Sequence, residues 1–412
     1  TFFYDPSAST RTAVTREPQG RWDPLPADSP RRAPGNVYTK HAAFLDDMEA
    51  FDHKYWRVRK EDAELWDPQT RKCLEAGALA LMNAAVTPVM LGNTDTAVYV
   101  GTMTNDWFNR TRGDWANLRE AAAGDMTAER KPAQDVHRGI RRSEASVLSR
   151  MLNLTGPSDT VDTACSSSLV AANFAAGQIW SGNCCLALAA GVCYMGTGDT
   201  FINRCKLRLL SERGRSAPFS YDGDGYTRGE AYGALVLARY EELPQGSAII
   251  AGTTVNSDGR SATLTAPSGP AQSALLRDCH KVAGMMPEEI SILECAANGS
   301  PFGDSIEFSA TARVHGGHRA VLSAVKSNKG HTEGGSGITG LVKAALMVER
   351  RQALPIAHLR LLSEHVDLEK YHLEISNELM LVEHSEKRPL SAGVSAFGFG
   401  GTNAHAILLS VK

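Results

Sequence analysis

The strongest constraint on this chain is a long alternation of short β-rich runs and helical patterns between residues 96 and 408. Strands separated by helix-length segments are typical of sheets whose parallel strands are joined by crossover helices, so the pattern predicts an α/β fold. The predicted strands are 96–100, 159–162, 186–189, 234–237, 248–251, 290–293, 320–323 and 404–408. The predicted helices are 166–180, 271–283, 305–315 and 337–350, with helical segments over 61–85 that break at Asp67-Pro68.

Composition excludes several classes of protein. The chain has 412 residues, of which 42% are hydrophobic and 22% charged, and this balance excludes a disordered or fibrous chain. A net charge of −3 argues against a nucleic-acid binder that neutralises phosphates. The longest near-apolar run, 184–195, is shorter than the roughly eighteen residues of a membrane span. The eight cysteines show no metal-ligand spacing, which favours reduced thiols in an intracellular compartment, cytoplasmic or organellar.

The N-terminal segment, residues 1–35, differs from the rest. It has six prolines among polar residues and no sustained period, so we expect it to wrap the surface in extended form. The first residues include no starting Met, basic region or apolar core of a signal, which favours an excised or processed domain.

Residues 161–170 give the sharpest chemical signal, because a β-like run passes through Cys165 into an Ala-rich helix. Free backbone N–H groups and the helix dipole at such a position favour a thiolate, by about 0.3 to 1 kcal/mol. This predicts a nucleophile at Cys165. The alternative is a small buried apolar side chain, which is our interpretation of the other seven cysteines.

Two glycine-rich loops contain the remaining candidates. Lys326, His331 and Glu333 lie in the polar loop 325–337 and are candidates for proton transfer and carbonyl polarisation. A lone loop histidine is more often structural, and that alternative stays open. In residues 397–405 the glycines allow backbone N–H groups to face a ligand, as in an oxyanion hole, and Phe397 and Phe399 are placed to wall an apolar channel.

In their order along the chain and in their amino-acid sequences, these three segments resemble the β-ketoacyl synthase (ketosynthase) family of fatty-acid and polyketide synthases. The resemblance extends from Arg21-Trp22-Asp23 to the end, about nine tenths of the chain. It implies a thiolase-like fold, with two similar βαβαβαββ halves in an α-β-α-β-α layered arrangement that usually forms a homodimer. The halves would be residues 36–245 and 246–412. Further matching segments are 66–71, 218–230, 256–259 and 265–268.

The resemblance also implies roles for individual residues. Cys165 would take an acyl group from the phosphopantetheine of an acyl carrier protein, with no cofactor bound to the chain itself. The backbone N–H groups of Cys165 and Phe399 would form the oxyanion hole. Lys326 would organise polar contacts, and His331 would form a hydrogen bond near the thioester. Phe399, with Phe397 beside it, matches a gate.

The chain departs from the family at the first catalytic histidine. Elongating members contain E-A-H-G-T-G-T followed by G-D-P-I-E, whereas residues 294–307 here are E-C-A-A-N-G-S-P-F-G-D-S-I-E. The flanking matches fix the register, so Ala296 stands where the histidine should be. A methyl group can neither accept a proton nor stabilise an enolate, and losing such a group costs about 10² to 10⁴ in rate. Asn298 and Ser300 replace two threonines that contact pantetheine in relatives.

The leading hypothesis is a non-elongating ketosynthase that accepts an acyl chain on Cys165 and holds it or passes it on. One alternative is a condensing enzyme with a rebuilt site, in which Cys295 or another polar group supplies the missing function. A second is a catalytically idle scaffold or dimer partner. A third, a papain-like or other thiol hydrolase, is disfavoured by the family-wide match.

Two further expectations concern the surface and the first strand. A basic patch for an acidic carrier protein is predicted from Arg204, Lys206, Arg208 and Arg213, with an ordinary solvated face as the alternative. Relatives begin with a strand similar to I-A-I-V-G-M. Here only residues 1–4 resemble it, so either that strand is missing or another segment takes its place in the sheet.

Overall fold

The structure of the protein, a computed structural model, describes residues 12–16, 37–39, 41–91, 94–107, 143–243, 245–263, 265–375, 377–382 and 388–411. Its strands are β1 Thr15–Arg16, β2 His41–Ala43, β3 Ala97–Gly101, β4 Ser158–Val161, β5 Leu186–Cys193, β6 Arg228–Gly229, β7 Ala231–Ala238, β8 Ala248–Ser257, β9 Ile292–Glu294, β10 Ala320–Ser323, β11 Gln352–Ala353, β12 Leu373–Ile375, β13 Met380–Leu381, β14 Ser391–Phe397 and β15 Thr402–Ser410. Its α-helices are α1 Lys60–Leu65, α2 Pro68–Asn83, α3 Pro88–Leu91, α4 Glu144–Leu152, α5 Ser167–Trp180, α6 Asp199–Lys206, α7 Gly269–Ala283, α8 Pro301–His315, α9 Lys326–Lys329 and α10 Ser336–Arg350. Single 3₁₀ turns lie at Ala164–Ser166, Pro287–Glu289 and Glu333–Gly335.

Two mixed sheets form the framework. The N-terminal sheet has the order β4-β3-β5-β7, and β7 runs antiparallel to β5. The C-terminal sheet has the order β12-β10-β9-β14-β15-β8, and β15 runs antiparallel to both of its neighbours. In chain order, the second half therefore has the predicted βαβαβαββ succession, and its strands β10-β9-β14-β15 correspond to β4-β3-β5-β7 of the first half.

The first half differs from the second at the edge of its sheet. In the second half β8 pairs with β15, whereas among the described residues no strand pairs with the corresponding outer edge of β7. Residues 1–4, the predicted stand-in for this strand, lie outside the described residues, as do most of the predicted extended segment and Arg21-Trp22-Asp23. Which segment takes this position therefore stays a prediction.

Helices cover both sheets and fill the space between them. Helices α5 and α10 pack against each other between the sheets, α2 and α4 cover the outer face of the N-terminal sheet, and α7 and α8 cover that of the C-terminal sheet. Leu169, Ile338 and Val394 belong to the apolar cluster of the central layer. The α-β-α-β-α arrangement implied by the resemblance is thus confirmed. None of the described helices has the length and apolar character required to cross a bilayer.

The break predicted at Asp67-Pro68 follows from capping chemistry. Helix α1 ends at Leu65, and the Asp67 carboxylate accepts a hydrogen bond from the backbone N–H of Gln69 at 2.8 Å. Pro68 occupies the first helical turn of α2, where its missing N–H leaves no partner unsatisfied. The two residues therefore begin α2.

A cluster of four histidines lies under the outer layer of the C-terminal half. The rings of His280 and His315 are 5.1 Å apart, and those of His315 and His318 are 5.6 Å apart. Burial lowers the pKa of each, and the neighbouring imidazoles lower that of His315 further, to well below 6.5. Burial also lowers the pKa of His405, on β15, to about 3. The Glu288 carboxylate acts on His280 and His318 in the opposite direction, but it does not outweigh the effect of burial, so both pKa values stay lowered.

These histidines predict a loss of stability in mild acid. Because each folded pKa lies below the ordinary 6.5, the unfolded chain binds more protons than the folded chain once the pH falls below 6.5. Each such histidine therefore lowers the free energy of unfolding by up to about 1.4 kcal/mol per pH unit. His315→Leu should give a shallower decline between pH 7 and 5, measured by urea unfolding. His365→Gln, at an exposed histidine, is the control, and equal slopes in all three proteins would contradict the prediction.

Candidate active site

The two central helices begin beside each other. Cys165 lies in the 3₁₀ turn before α5, and Glu333 lies in the one before α10. The Ser336 hydroxyl lies 2.8 Å from the carbonyl oxygen of Cys165 and 2.7 Å from that of Glu333. The helices that extend through the core therefore bring the Cys165 turn from one half against the 331–336 loop from the other.

The turn that presents Cys165 has an unusual backbone. Ala164 has φ +57°, a left-handed conformation that non-glycine residues rarely adopt. The Asp162 carboxylate accepts a hydrogen bond from the Ala164 N–H at 3.1 Å and stabilises the turn. Strain of this kind is found where the surrounding structure fixes the backbone, often at reactive side chains.

The turn between β14 and β15 lies directly on the Cys165 turn. A Cβ atom at Gly398 would overlap the carbonyl oxygen of Thr163 and lie 2.8 Å from the hydroxyl of Ser166. Only glycine fits at this contact. The approach places the backbone N–H of Phe399 near the Cys165 sulfur, where it lowers the pKa of the thiol. The structure therefore brings together the two residues expected to form an oxyanion hole.

The acidity of Cys165 differs from the sequence-based expectation. Removal of the thiol from solvent raises its pKa to about 11, and the nearby Glu333 carboxylate raises it further. Lys326, the Phe399 N–H and Arg204 act in the opposite direction. The helix terminus favours the thiolate by about 0.3 to 1 kcal/mol, which is less than one pKa unit, and burial outweighs it.

His331 is held as a neutral ring with a defined proton position. Its Nδ1 accepts a hydrogen bond from the backbone N–H of Glu333 at 3.1 Å, so the neutral ring has its proton on Nε2. Burial and then the Lys326 ammonium lower its pKa to about 3. The edge of the ring contacts Tyr226, with centroids 4.9 Å apart. At neutral pH His331 can therefore donate a hydrogen bond from Nε2.

The loop at Ala296 is fixed through its backbone. Lys326 Nζ donates to the Ala296 carbonyl oxygen at 2.7 Å, and the Ala296 N–H donates to Glu307 Oε1 at 2.7 Å. Asp304 accepts hydrogen bonds from the N–H groups of Asn298 and Gly299, each at 3.0 Å. Burial, with Asp304 nearby, raises the pKa of Glu307 to about 8. Position 296 is thus held by buried polar groups that bind its backbone and do not involve its side chain.

The other residues predicted to contact a ligand lie at the ends of helices and strands or in the turns beside them. Asn298 Oδ1 accepts a hydrogen bond from the Ser300 N–H at 3.0 Å, and the Ser300 hydroxyl caps α8 by accepting from the Gly303 N–H at 3.4 Å. Phe397 ends β14, and Phe399 is 38% exposed in the turn that follows. Pantetheine binding and gating by these residues stay predictions.

Several expectations about cysteines and charges need correction. Cys185 is exposed, whereas the remaining six cysteines outside the site are buried as predicted. Cys295 points its sulfur at the Leu293 carbonyl oxygen, 3.6 Å away, and burial raises its pKa well above 9. A buried, protonated thiol so oriented is poorly suited to replace an imidazole.

The predicted basic patch is wrong for Arg204. This side chain is buried and its Nε lies 2.7 Å from Glu333 Oε1, because it neutralises a carboxylate inside the fold. Arg213 is ion-paired with Asp222 and Asp224. Lys206 and Arg208 are exposed, so two of the four residues are left for such a surface.

Glu333 has a different role from the proton transfer considered from the sequence. Burial opposes its ionisation, but the guanidinium groups of Arg204 and Arg228 outweigh this effect and lower its pKa to about 2. It is therefore a fixed charge. Its partners Arg204 and Arg228 are 129 and 105 positions away in sequence, so no local pattern indicated the pairing. No group of three or more His, Cys, Asp or Glu side chains among the described residues is arranged to hold a metal ion.

The contact at Gly398 predicts a change in thiol reactivity. Gly398→Ala should displace the 398–401 turn and remove the Phe399 N–H from the Cys165 sulfur. A hydrogen bond to a charged group contributes about 1.5 to 3 kcal/mol, so alkylation of Cys165 by iodoacetamide should slow about ten- to a hundredfold. The rate can be measured by mass spectrometry of the Cys165 peptide, with exposed Cys185 as the reference in the same sample.

Gly400→Ala is the matched control for this experiment. A Cβ atom at Gly400 meets nothing within 4 Å, so the same change two residues away should leave Cys165 alkylation unchanged. Equal rates for the two variants would show that the Gly398 contact does not determine the environment of the sulfur.

Comparison with known proteins identifies the family of this chain. Residues 7–242 match the N-terminal domain and residues 247–360 the C-terminal domain of beta-ketoacyl synthase. A phenolphthiocerol/phthiocerol polyketide synthase of Mycobacterium tuberculosis is 34% identical over 97% of this chain, which spans 21% of that protein. Polyketide synthase PksL of Bacillus subtilis is 32% identical over 98% of this chain, which spans 9% of it.

Solved structures show the same fold. The ketosynthase from module 6 of the bacillaene synthase of Bacillus subtilis 168 is 31% identical, with a TM-score of 0.84 over 98% of this chain and 68% of that one. The oxazolomycin ketosynthase domain OzmH KS7 of Streptomyces albus JA3453 is 29% identical, with a TM-score of 0.85 over 98% of this chain and 71% of that one. The thiolase-like fold expected from the sequence is confirmed. The chain belongs to the beta-ketoacyl synthase family.

Proposed function

We propose that this chain is a ketosynthase domain of a polyketide synthase that accepts an acyl group from an acyl carrier protein onto Cys165 and does not extend it. The observation that carries the proposal is Ala296, which stands at the position of the first histidine while the groups needed for acylation are retained. The curated relatives are polyketide synthases, and this chain spans about a tenth to a quarter of their length.

Acyl transfer requires only groups that are present. The Cys165 sulfur attacks the thioester carbonyl, the new C–S bond forms, and the bond to the pantetheine sulfur breaks. The cysteine proton passes to the departing pantetheine thiolate, so the reaction begins and ends with one thiol and one thioester. The Phe399 N–H and His331 Nε2–H are donors suited to the oxygen that becomes negative in between. Lys326 lowers the energy of the thiolate.

Chain extension requires a group that is absent from position 296. Loss of carbon dioxide from a malonyl thioester leaves an enolate, which needs a hydrogen-bond donor at its oxygen. Ala296 offers only a methyl group, and its backbone N–H and carbonyl are already bound to Glu307 and Lys326. The rebuilt-site alternative would need a new donor, and Cys295 faces the Leu293 carbonyl instead.

Loading without extension is the first expected outcome. A carrier protein charged with a butyryl group should transfer it to the chain, giving a butyryl mass adduct that is absent from Cys165→Ala. Later addition of malonyl-carrier protein should produce neither carbon dioxide nor a product two carbons longer. Extension at normal rates would overturn the proposal, and the absence of any adduct would favour the idle scaffold.

Restoring the imidazole provides a second test. Ala296→His should gain decarboxylation of malonyl-carrier protein by about 10² to 10⁴ over the unaltered chain, the usual contribution of a positioned acid or base. Ala296→Phe is the matched control, because it adds a ring of similar size without a proton donor. If both variants released carbon dioxide equally, the side chain at 296 would not determine extension.

Several properties implied by the family stay predictions alongside this function. They are association into a homodimer, an intracellular location, delivery of the substrate on the phosphopantetheine of a carrier protein with no cofactor bound to the chain, and gating by Phe397 and Phe399.

A further inference from the structure

Three buried charged side chains form an ion triad behind His331. Arg204 contacts both Glu333 oxygens, with Nε–Oε1 at 2.7 Å and Nη2–Oε2 at 2.9 Å. Arg228 also contacts both, with Nε–Oε1 at 2.9 Å and Nη2–Oε2 at 3.2 Å. The carboxylate of Glu333 is thus held from two sides by paired hydrogen bonds, an arrangement that fixes orientation as well as charge.

The triad is itself anchored to α6. Arg228 Nη1 donates to the Thr200 hydroxyl at 2.6 Å, and the guanidinium lies 4.7 Å above the Phe201 ring. Arg204 Nη1 donates to the Thr200 carbonyl oxygen at 3.2 Å. The Thr200 hydroxyl in turn donates to Asp106, which also accepts the Gly196 N–H at 3.1 Å. Neither guanidinium can therefore move independently of this helix.

The backbone of Arg228 and of its neighbour also pairs with the backbone of the histidine. Arg228 forms an isolated β-bridge with His331, and the Gly229 N–H donates to the His331 carbonyl oxygen at 2.9 Å. Glu333 has φ +44°, a strained backbone for a residue with a side chain. In this conformation its N–H donates to His331 Nδ1 at 3.1 Å. The same residue thus contributes its carboxylate to the triad and its N–H to the imidazole.

We infer that Arg204, Glu333 and Arg228 are positioning residues for His331: the triad fixes the Glu333 N–H against Nδ1 and so keeps the imidazole proton on Nε2, facing the acyl group. The inference rests on the proposed function only for its effect on acyl loading. None of the three touches the reacting atoms in this assignment. Without the fixed N–H, the neutral ring can also place its proton on Nδ1, and that tautomer has no donor at Nε2.

The direct test is the tautomer of His331. In protein labelled with ¹⁵N-histidine, the unaltered chain should show His331 with a bare Nδ1 and a protonated Nε2, assigned by the signal lost in His331→Gln. Arg204→Gln should shift this signal towards a mixture of tautomers, and Arg204→Lys, which keeps a positive charge, should shift it less. Thr200→Val, a milder change that releases Arg228 from its hydroxyl partner, should shift it in the same direction if Arg204→Gln fails to fold.

The kinetic test uses the butyryl thioester of N-acetylcysteamine, a small mimic of the end of the pantetheine arm. Arg204→Gln should load Cys165 about ten- to a hundredfold more slowly, the range typical when an outer partner of a functional histidine is removed. The concentration for half-maximal rate should stay within about twofold, because the triad does not contact the thioester. Arg204→Lys should recover part of the rate.

The control is a second buried ion pair remote from the site. Lys72→Met removes the partner of Glu75, whose carboxylate lies 2.7 Å from Lys72 Nζ on α2, and should change stability without altering the His331 signal or the loading rate. A folded Arg204→Gln with the unaltered tautomer and rate would overturn the inference. If the unaltered chain never loads an acyl group, the proposed function fails, but the ¹⁵N measurement still decides whether the triad fixes the ring.

Discussion

The close packing of α5 against α10 determines the geometry on which the site depends. A Cβ atom at Gly337 would overlap the backbone of Leu169, so the two helices meet backbone to backbone near their first turns. The Ile338 N–H donates to the Ser168 hydroxyl across this contact at 3.1 Å. Each helix follows a strand from a different half of the chain, so one contact brings Cys165 and the His331 loop together. Both helices are extensively buried, so moving one relative to the other would cost much free energy. A reactive site that lies on this contact is held rigid by it.

Burial and neighbouring charges together keep three titratable groups of the site, Cys165, His331 and Glu333, each in one form. At neutral pH the Cys165 thiol is protonated, His331 is neutral and Glu333 is ionised, because their pKa values lie at about 11, 3 and 2. None of the three changes its charge near pH 7. A site of this kind acts through fixed hydrogen-bond donors and charges, which stabilise charge as it develops on a substrate. At Cys165 desolvation changes the pKa of the thiol more than the helix dipole does. The hydrogen-bond donors and charges around the sulfur are nevertheless present. Lys326, the Phe399 N–H and Arg204 are the groups that lower the pKa of the thiol against this effect.

Local sequence patterns predicted the elements that contain larger apolar residues. The predicted strand 320–323 coincides with β10, and α5, α7, α8 and α10 begin within four residues of the expected positions. Strand β14 was missed because it consists largely of Ser, Ala and Gly, and its conformation comes from pairing with β9 and β15. Position 296 was located because matching residues flank it on both sides. The pairing of Arg204 with Glu333 was not predictable, because the residues are 129 positions apart and a charged residue on a helical pattern is normally solvated. Only tertiary contacts decide which charges are buried.

The loop around Ala296 is held in place without any contribution from the side chain at that position. The backbone N–H and carbonyl of Ala296 are bound by Glu307 and Lys326, and a buried polar group that loses its partner costs about 1 to 3 kcal/mol. These contacts fix the loop whatever side chain is present, so a methyl group at 296 removes a proton donor without moving its neighbours. Transfer of an acyl group between two sulfurs converts one thioester into another and leaves no net charge to be stabilised at the end of the step. Decarboxylation leaves an enolate whose oxygen needs a donor from the empty position. Under the proposed function, the side chain at 296 therefore separates two reactions that share the same sulfur and the same oxyanion donors.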